Sequence, residues 1–148
     1  MLLLKVIAVA AVAVAVAIAV VVFAVPMQGD SGAPNVKFTE FTPDRVDIRV
    51  GEATKVTFNV QNLESRAITD GRVVMVIEPG GYQPYLSMDR PSVDLPDLQS
   101  KDARTGQMQV TITAAGVPAQ EAVYTVKGVL FAEGVQTDVK DFQLRIRR

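Results

Sequence analysis

Residues 45–62 read RVDIRVGEATKVTFNVQN, and the period of two in this stretch decides the fold. Apolar residues alternate with polar ones on both sides of a Gly51-Glu52 turn. Such alternation is typical of β-strands that bury one face and expose the other. In the first half of the stretch we therefore expect Val46, Ile48 and Val50 to face a core.

The same alternation continues through the chain after residue 35. Further strands are expected at residues 36–39, 73–77, 93–95, 108–113, 121–131 and 135–146. In the last strand the apolar residues change from odd-numbered positions, such as Val139, to even-numbered ones, such as Phe142. This change of face predicts a β-bulge near Lys140-Asp141. No helical period occurs after residue 26. Seven or eight short strands in about 110 residues predict an all-β fold, an immunoglobulin-like antiparallel β-sandwich over residues 35–148.

Three segments of this β-rich region resemble a known family: RVGEATKVTFNVQNLES, VDLPDLQSKDARTGQMQVTITAAG and AVYTVKGVLFAEGVQTDVKDFQLRI. They are similar to the immunoglobulin-like modules of the adhesion-related (CARDB) kind, found in bacterial and archaeal envelope proteins. The matching points are Gly51-Glu52 before a strand, Asn62 at its end, and Tyr124 where such folds place a tyrosine corner. The resemblance covers residues 36–147. Because its motifs are turn residues, it implies the fold and says little about function.

Residues 6–25 are a different kind of sequence, VIAVAAVAVAVAIAVVVFAV, without a charge or a hydrogen-bonding side chain. As a helix rising about 1.5 Å per residue, this run is about 30 Å long, which matches the hydrocarbon core of a bilayer. We predict a transmembrane helix within residues 1–26, with membrane lipid as its partner, followed by a linker at 27–34. Lys5 precedes the run and Asp30 follows it, so the N-terminus is expected in the cytoplasm and the C-terminal domain outside the cell membrane.

Two features of the apolar run leave alternatives open. Val22-Phe23-Ala24 is an acceptable cleavage site, so a removed signal peptide is the competing interpretation, although the run is longer than a usual signal core. Ala11, Ala15 and Ala19 are spaced four apart, which lets helix backbones approach closely in lipid. They are candidate helix-packing residues, but alternating Ala and Val also produces this spacing by itself.

Composition excludes several classes of function. The chain contains no Cys and no His, which removes disulfides, thiolate and imidazole metal sites, and nucleophiles that depend on either residue. We therefore expect neither an enzyme nor a cofactor. After residue 26 there are 14 basic residues (15 minus Lys5) and 16 acidic ones, and this near balance argues against a nucleic-acid partner. Four aspartates match no calcium-loop signature and are interpreted as turn residues: Asp89, Asp94, Asp97 and Asp102.

The segment from Glu78 to Pro91 is the first candidate for partner binding, because it is too long for a hairpin and rich in aromatic and apolar side chains. Its candidate residues are Tyr82, Tyr85, Leu86, Met88 and Arg90. Tyr and Arg often anchor interfaces, and prolines reduce the entropy lost on docking. Alternatively, these side chains fold back and close one end of the sandwich. In an alternating topology, this segment, residues 114–119 and the C-terminus all lie at the end away from the membrane.

The second candidate is the basic group Arg145, Arg147 and Arg148 at the end of the last strand. Outward charges on a terminal strand commonly block edge-to-edge pairing. The alternative is contact with an acidic partner or a glycan.

These observations favour a single-pass envelope protein that acts through protein–protein contact. A first alternative is an accessory subunit of a larger membrane or filament complex, such as a pilus or archaellum stator, packed through its alanine-rich helix. A second alternative is a secreted or anchored glycan-binding module that uses exposed tyrosines. A homo-oligomer is compatible with each, because an open sandwich leaves strand edges.

Overall fold

The computed structural model describes residues 33–148, which fold into two β-sheets that enclose one core. The strands are β1 (Val36–Pro43), β2 (Asp47–Arg49), β3 (Ala53–Asn62), β4 (Gly71–Glu78), β5 (Leu86–Met88), β6 (Ser92–Asp94), β7 (Met108–Ala114), β8 (Glu121–Ala132) and β9 (Val135–Arg147). One sheet has the order β1-β3-β7-β5, and the other has the order β2-β9-β8-β4-β6. Within residues 33–148 no helix is long and apolar enough to cross a membrane.

The core is built from the inward positions of both sheets, as the period of two predicts. In β3 the inward residues Val56, Phe58 and Val60 are completely buried, while the residues between them reach the surface. Aromatic contacts close one side of the sandwich. The ring centroid of Phe41 lies 5.9 Å from that of Phe142, and the Phe41 ring leaves no room for a Cβ at Gly128.

The prediction of an all-β, immunoglobulin-like sandwich is confirmed for the described residues. Strand β5 was not expected, because Leu86–Met88 is a short piece inside what reads as a loop. One pair also departs from the antiparallel prediction: β2 lies parallel to β9, with Ile48 opposite Ile146. The chain crosses from one sheet to the other after β1, so β2 adds to the far sheet in the direction of β9.

The predicted bulge in β9 is displaced. Lys140 and Asp141 pair regularly with β8, whereas the register shifts where Leu130 faces Asp138 and Phe131 faces Gln136. The extra residue is therefore Thr137, and the position near Lys140-Asp141 was wrong. Val139 is half-buried on the outer face of the sheet. Because its side chain is apolar, the sequence pattern wrongly counted it as a residue that faces the core.

The register places the connections at two opposite ends of the sandwich. The proximal end is where the described chain begins: the N–H of Leu63 donates to the carbonyl of Asn35 at 2.9 Å. It contains Asn35, the connections 63–70 and 95–107, and the turn at Glu133. The distal end contains the connections 44–52, 79–85 and 115–120 together with Arg148. This matches the expectation that the tyrosine segment, residues 114–119 and the C-terminus share one end.

The predicted transmembrane helix at residues 1–26 lies outside the described residues, as do the first six residues of the predicted linker. The candidate helix-packing residues Ala11, Ala15 and Ala19 also fall there. Their predicted roles stay predictions.

Candidate functional site

Backbone hydrogen bonds tie the connections of the distal end into one surface. The N–H of Ala115 donates to the carbonyl of Tyr85 at 2.8 Å, and the N–H of Gly51 donates to the carbonyl of Ala114 at 2.8 Å. The N–H of Val50 donates to the carbonyl of Arg147 at 2.9 Å. The tyrosine segment and the C-terminal arginines, which are far apart in sequence, therefore belong to the same end.

The tyrosine segment mostly faces inward. Leu86 is buried with 2% of its surface exposed, and Tyr82 and Met88 are half-buried against the core. Burial raises the pKa of the Tyr82 hydroxyl. Tyr85 is half-buried and packs near Gly116, where a Cβ would lie 3.4 Å from its ring. Leu86 is not accessible to a partner, and the segment closes the distal end of the core while leaving part of Tyr85 at the surface.

Arg90 lies beside the sandwich, beyond the end of β5, and not at the distal end. Its guanidinium donates to the carbonyl of Gln109. Together with Gln107, Met108 and Gln109 it lines an open groove of about 480 Å³ next to the uncovered start of β7. The hydrogen bond holds Arg90 against the strand edge.

Arg147 is held by an ion pair within the domain. Its Nε lies 2.9 Å from Oδ1 of Asp47, and its second guanidinium nitrogen contacts Oδ2. The hydrogen bond from Arg147 lowers the pKa of Asp47, and the same bond raises the pKa of Arg147. Arg145 and Arg148 are exposed and make no side-chain ion pair among residues 33–148. Two of the three predicted arginines thus remain accessible to an anionic group.

Sequence reasoning missed two apolar residues at this end. Val46 is 53% exposed and Val50 is 39% exposed, whereas Ile48 between them is buried. The expectation that all three face the core was wrong, because only Asp47–Arg49 are in strand β2 and the flanking residues turn over the end of the sandwich. Pro43 and Gly51 flank this segment closely, and their positions could have indicated that the strand is too short to include Val46 and Val50.

Tyr124 is buried, with 4% of its surface exposed. Burial raises the pKa of its hydroxyl, with a further contribution from Tyr85 nearby. No hydrogen bond to the backbone holds this hydroxyl within the described residues, so the hydrogen bond of a tyrosine corner is not formed. Tyr124 acts here as a core residue behind Tyr85.

The aspartates considered for calcium are dispersed. Asp94 pairs with Arg72 at 3.1 Å, and Asp89 accepts the N–H of Thr111 at 2.8 Å. Over residues 33–148 no group of three or more His, Cys, Asp or Glu side chains is arranged to hold a metal ion.

Comparison with solved structures shows the fold. The chain is similar to the CARDB domain of a Pyrococcus furiosus protein in its solution structure, with a TM-score of 0.52 and 12% identity over 78% of this chain and 96% of that domain. A crystal structure of the same domain in complex with di-metal ions gives a TM-score of 0.50 and 14% identity, covering 77% of this chain and 94% of that one.

A fragment of Escherichia coli α2-macroglobulin, from domain MG7 to the C-terminus, gives a TM-score of 0.54 and 13% identity, covering 78% of this chain and 17% of the fragment. No protein-family model matches the sequence, and no curated protein matches it. At these identities the likeness concerns the fold alone.

Proposed function

We propose that this chain is a non-enzymatic envelope protein that is anchored in the cell membrane by residues 6–25 and binds another envelope protein outside the cell with its distal end. The observation that carries the proposal is a contrast between two ends of the domain. The anchor would join the domain at one end, and exposed apolar and arginine side chains lie together at the other. Asn35 is at the proximal end, where Leu63 and Val135 are 38% and 37% exposed, whereas the more exposed Val46, at 53%, lies beside Arg145 toward the distal end. A domain attached at its proximal end presents the distal end to a partner.

The chemistry of the distal end suits a protein partner. Exposed valines beside arginines combine apolar area with cations, and a mixture of this kind is typical of interfaces. The partner that fits best presents an apolar patch with carboxylates at its rim, because Arg145 and Arg148 are exposed and make no side-chain ion pair within residues 33–148. The rim arginines are expected to steer association and to make it dependent on salt.

The orientations of the tyrosines favour a protein ligand over a glycan. A sugar-stacking platform needs an open aromatic face, but Tyr82 packs against the core and Tyr85 lies beside Gly116. The glycan-binding alternative therefore has less support from the geometry than the protein-contact proposal.

Site-specific photo-crosslinking in the native membrane tests the contact. A photoreactive amino acid at Val46 should form an adduct with one distinct polypeptide, and Arg145→Glu in the same chain should reduce the yield about tenfold. The matched control is the same photoreactive residue at Lys55, an exposed position on the outer face of β3. No adduct at Val46, or the same adduct at Lys55, would refute binding by the distal end.

Thiol labelling tests the topology, since the natural chain has no Cys to interfere. Lys55→Cys should react with a membrane-impermeant maleimide on intact cells, and Leu2→Cys should react only after the membrane is opened. The intact mass of the purified protein decides whether the segment before Val25 is retained. A mature chain that begins near Val25 would remove the anchor from the proposal and leave the distal contact to be judged by crosslinking.

A further inference from the structure

Strand β7 has a neighbour along only part of one side. Strand β5 lies beside β7 from Ile112 to Ala114, and Asp89 continues the pairing just beyond β5. The N–H of Asp89 donates to the carbonyl of Thr111 at 3.1 Å, and the N–H of Thr111 donates to the Asp89 carboxylate at 2.8 Å. The chain then crosses to the five-stranded sheet as β6. Within residues 33–148, no strand covers this side of β7 before Thr111.

Alternation along β7 shows which backbone groups point to this open side. The N–H of Ala114 donates to the carbonyl of Glu52 at 2.9 Å, and the carbonyl of Ala114 accepts the N–H of Gly51 at 2.8 Å, both just before β3. The even-numbered residues of β7 therefore point their N–H and C=O groups toward β3. The odd-numbered residues point to the open side, as the bonds between Thr111 and Asp89 show.

Two backbone groups at the start of β7 are open on this side: the N–H of Gln109 and the C=O of Gln107. The C=O of Gln107 points outward because it shares a peptide unit with the N–H of Met108, which points to β3. No group among residues 33–148 is hydrogen-bonded to either. The C=O of Gln109 also points outward, but it accepts a hydrogen bond from Arg90. Both glutamines and Arg90 are exposed, so the groove beside them is accessible.

The two open groups are placed to bond one residue of a parallel strand. In a parallel ladder, a residue beside position i donates its N–H to the C=O of i−1 and accepts the N–H of i+1. With Met108 as position i, these partners are the C=O of Gln107 and the N–H of Gln109. An antiparallel strand would instead need the C=O of Gln109, which Arg90 occupies. The open side therefore favours a strand that runs in the direction of β7.

This direction decides which end of an added strand meets Arg90. Asp89 occupies the place beside Thr111, and Arg90 follows it, so the last free place is beside Gln109. A parallel strand has to stop there, and a C-terminus stops without further chain to accommodate. Arg90 makes no ion pair among residues 33–148, and its guanidinium has N–H groups left for a terminal carboxylate. The carboxylate of the adjacent Asp89 is directed to the N–H of Thr111.

Met108 indicates the side chain that suits the groove. It is half-buried and packs against the core, and with Arg90, Gln107 and Gln109 it lines the groove of about 480 Å³. A residue beside Met108 in a parallel strand turns its side chain to the same face of the sheet. An apolar side chain there would cover the exposed part of Met108. We therefore expect an apolar residue just before the last residue of the added strand.

Carboxylates fill the corresponding backbone groups on two other edges. On β1 the N–H of Phe38 donates to Asp138 at 2.9 Å, and on β2 the N–H of Arg49 donates to Glu52 at 2.9 Å. An N–H that is already bonded cannot receive an added strand without giving up that bond. Strand addition beside Gln109 breaks no existing hydrogen bond.

We propose that the open side of β7 binds the C-terminal tail of another protein. The tail extends the four-stranded sheet as a strand parallel to β7, with its penultimate side chain beside Met108 and its terminal carboxylate at Arg90. The site lies on the side of the sandwich and toward the proximal end, because the connection 95–107 leads into it. It is separate from the distal end and goes beyond the proposed function.

Selection from a library of random heptapeptides that are displayed with free C-termini tests this proposal, with the full chain in mild detergent as the target. The enriched peptides should share an apolar residue in the penultimate position. Measured by fluorescence anisotropy, their synthetic C-terminal amides should bind about tenfold more weakly than the free acids, because the amide has no charge for Arg90.

Variants of the protein separate the backbone bond from the charge. Gln109→Pro removes the open N–H and should weaken binding at least about tenfold, whereas Gln109→Ala keeps the N–H and should bind like wild type. Arg90→Gln should lower the affinity for the acid to that for the amide, and Arg90→Lys should restore part of the difference. Circular dichroism checks that each variant folds. If Gln109→Pro does not fold, the comparison of acid with amide on wild type and Arg90→Gln decides.

Three results would overturn the proposal. One is a selection that enriches no peptide. Another is equal binding of acids and amides, which would mean that internal segments bind and C-terminal tails are not recognised. The third is an equal loss for Gln109→Ala and a folded Gln109→Pro, which would exclude pairing with the backbone of β7. None of these results depends on binding at Val46, so this site and the proposed function can fail separately.

Discussion

The two ends of the sandwich differ in how strand β3 holds them. Residues 33–148 have two fully buried polar side chains, and both lie on β3: Asn62 at the proximal end and Thr54 at the distal end. The Asn62 amide donates to the carbonyls of Arg66 and Leu98, and its oxygen accepts the N–H of Glu64. One side chain thereby joins two connections that are far apart in sequence.

Thr54 links fewer parts of the chain at the distal end than Asn62 does at the proximal end. Its hydroxyl lies 2.7 Å from a carboxylate oxygen of Asp44 and 2.7 Å from the carbonyl of Arg45, both in one corner between β1 and β2. The tyrosine segment and the C-terminus are not attached to this residue. The buried side chain at the proximal end links two connections, whereas the one at the distal end holds a single corner. The distal end also exposes Val46 more than the proximal end exposes Leu63, at 53% against 38%.

The largest effect on stability is expected from removing the side chain of Asn62, which links the two connections at the proximal end. Asn62→Ala leaves the carbonyl of Arg66 and the N–H of Glu64 without these partners, and it leaves the carbonyl of Leu98 with only the N–H of Ile68. It should lower the free energy of unfolding by about 3 kcal/mol. Chemical denaturation of the full chain in detergent, followed by circular dichroism, measures the change.

The matched control is Asn59→Ala on the same strand. Asn59 lies on the outer face, and its oxygen is 3.4 Å from the hydroxyl of Thr105. A loss of about 0.5 kcal/mol or less is expected there. Equal losses for the two variants would mean that Asn62 does not hold the proximal end and would remove the contrast between the ends.

A smaller effect is expected from Thr54→Val at the distal end. The substitution keeps the shape of the side chain but removes its hydrogen bonds to the Asp44–Arg45 corner, which should cost about 1.5 kcal/mol. Because only this corner is held, the cost should be about half of that at Asn62. Unfolding in denaturant measures it, with Thr57→Val on the outer face as the control. A loss as large as that of Asn62→Ala would show that the distal end is held as tightly as the proximal end.

The alternating pattern of residues 45–62 was enough to predict the sandwich, because a period of two reports one buried face in each strand. It failed at Val46 and Val50, since alternation persists in the sequence beyond the three residues that pair. It also failed at Val139, whose half-buried apolar side chain lies on the outer face of the five-stranded sheet and not in the core. In both places apolar residues outside the core have the same spacing in the sequence as core residues.

The candidate site was predicted only in part. Counting strand directions was enough to place Tyr85 and Arg147 at one end, but the sequence could not show that Asp47 already pairs with Arg147, because the two are separated by 100 positions. It also could not show that Leu86 is a core residue, since a three-residue strand has too short a pattern to read.

The smallest effect is expected from the two bidentate ion pairs, one at each end. Arg66 holds Glu133 at the proximal end, with one guanidinium nitrogen 2.8 Å from a carboxylate oxygen, and Arg147 holds Asp47 at the distal end. The hydrogen bond from Arg66 lowers the pKa of Glu133 from 4.5, and the bond from Arg147 lowers the pKa of Asp47 from 3.8. Since these values are lower in the folded state, each pair adds stability above the unfolded pKa and loses it as the pH falls through the folded pKa.

Melting temperatures measured from about pH 7 down to about pH 2.5 should therefore show a loss for wild type that begins near the unfolded values. Glu133→Gln and Asp47→Asn should each melt slightly below wild type at neutral pH and approach it in acid, because the variant has no charge left to lose. Both pairs are exposed, so the differences are expected to be small. Asp97→Asn, which removes no ion pair within residues 33–148, is the control. A Glu133→Gln curve that stays parallel to wild type down to the lowest pH would mean that the pair at the proximal end contributes nothing, and the hydrogen bonds of Asn62 alone would then account for the difference between the two ends.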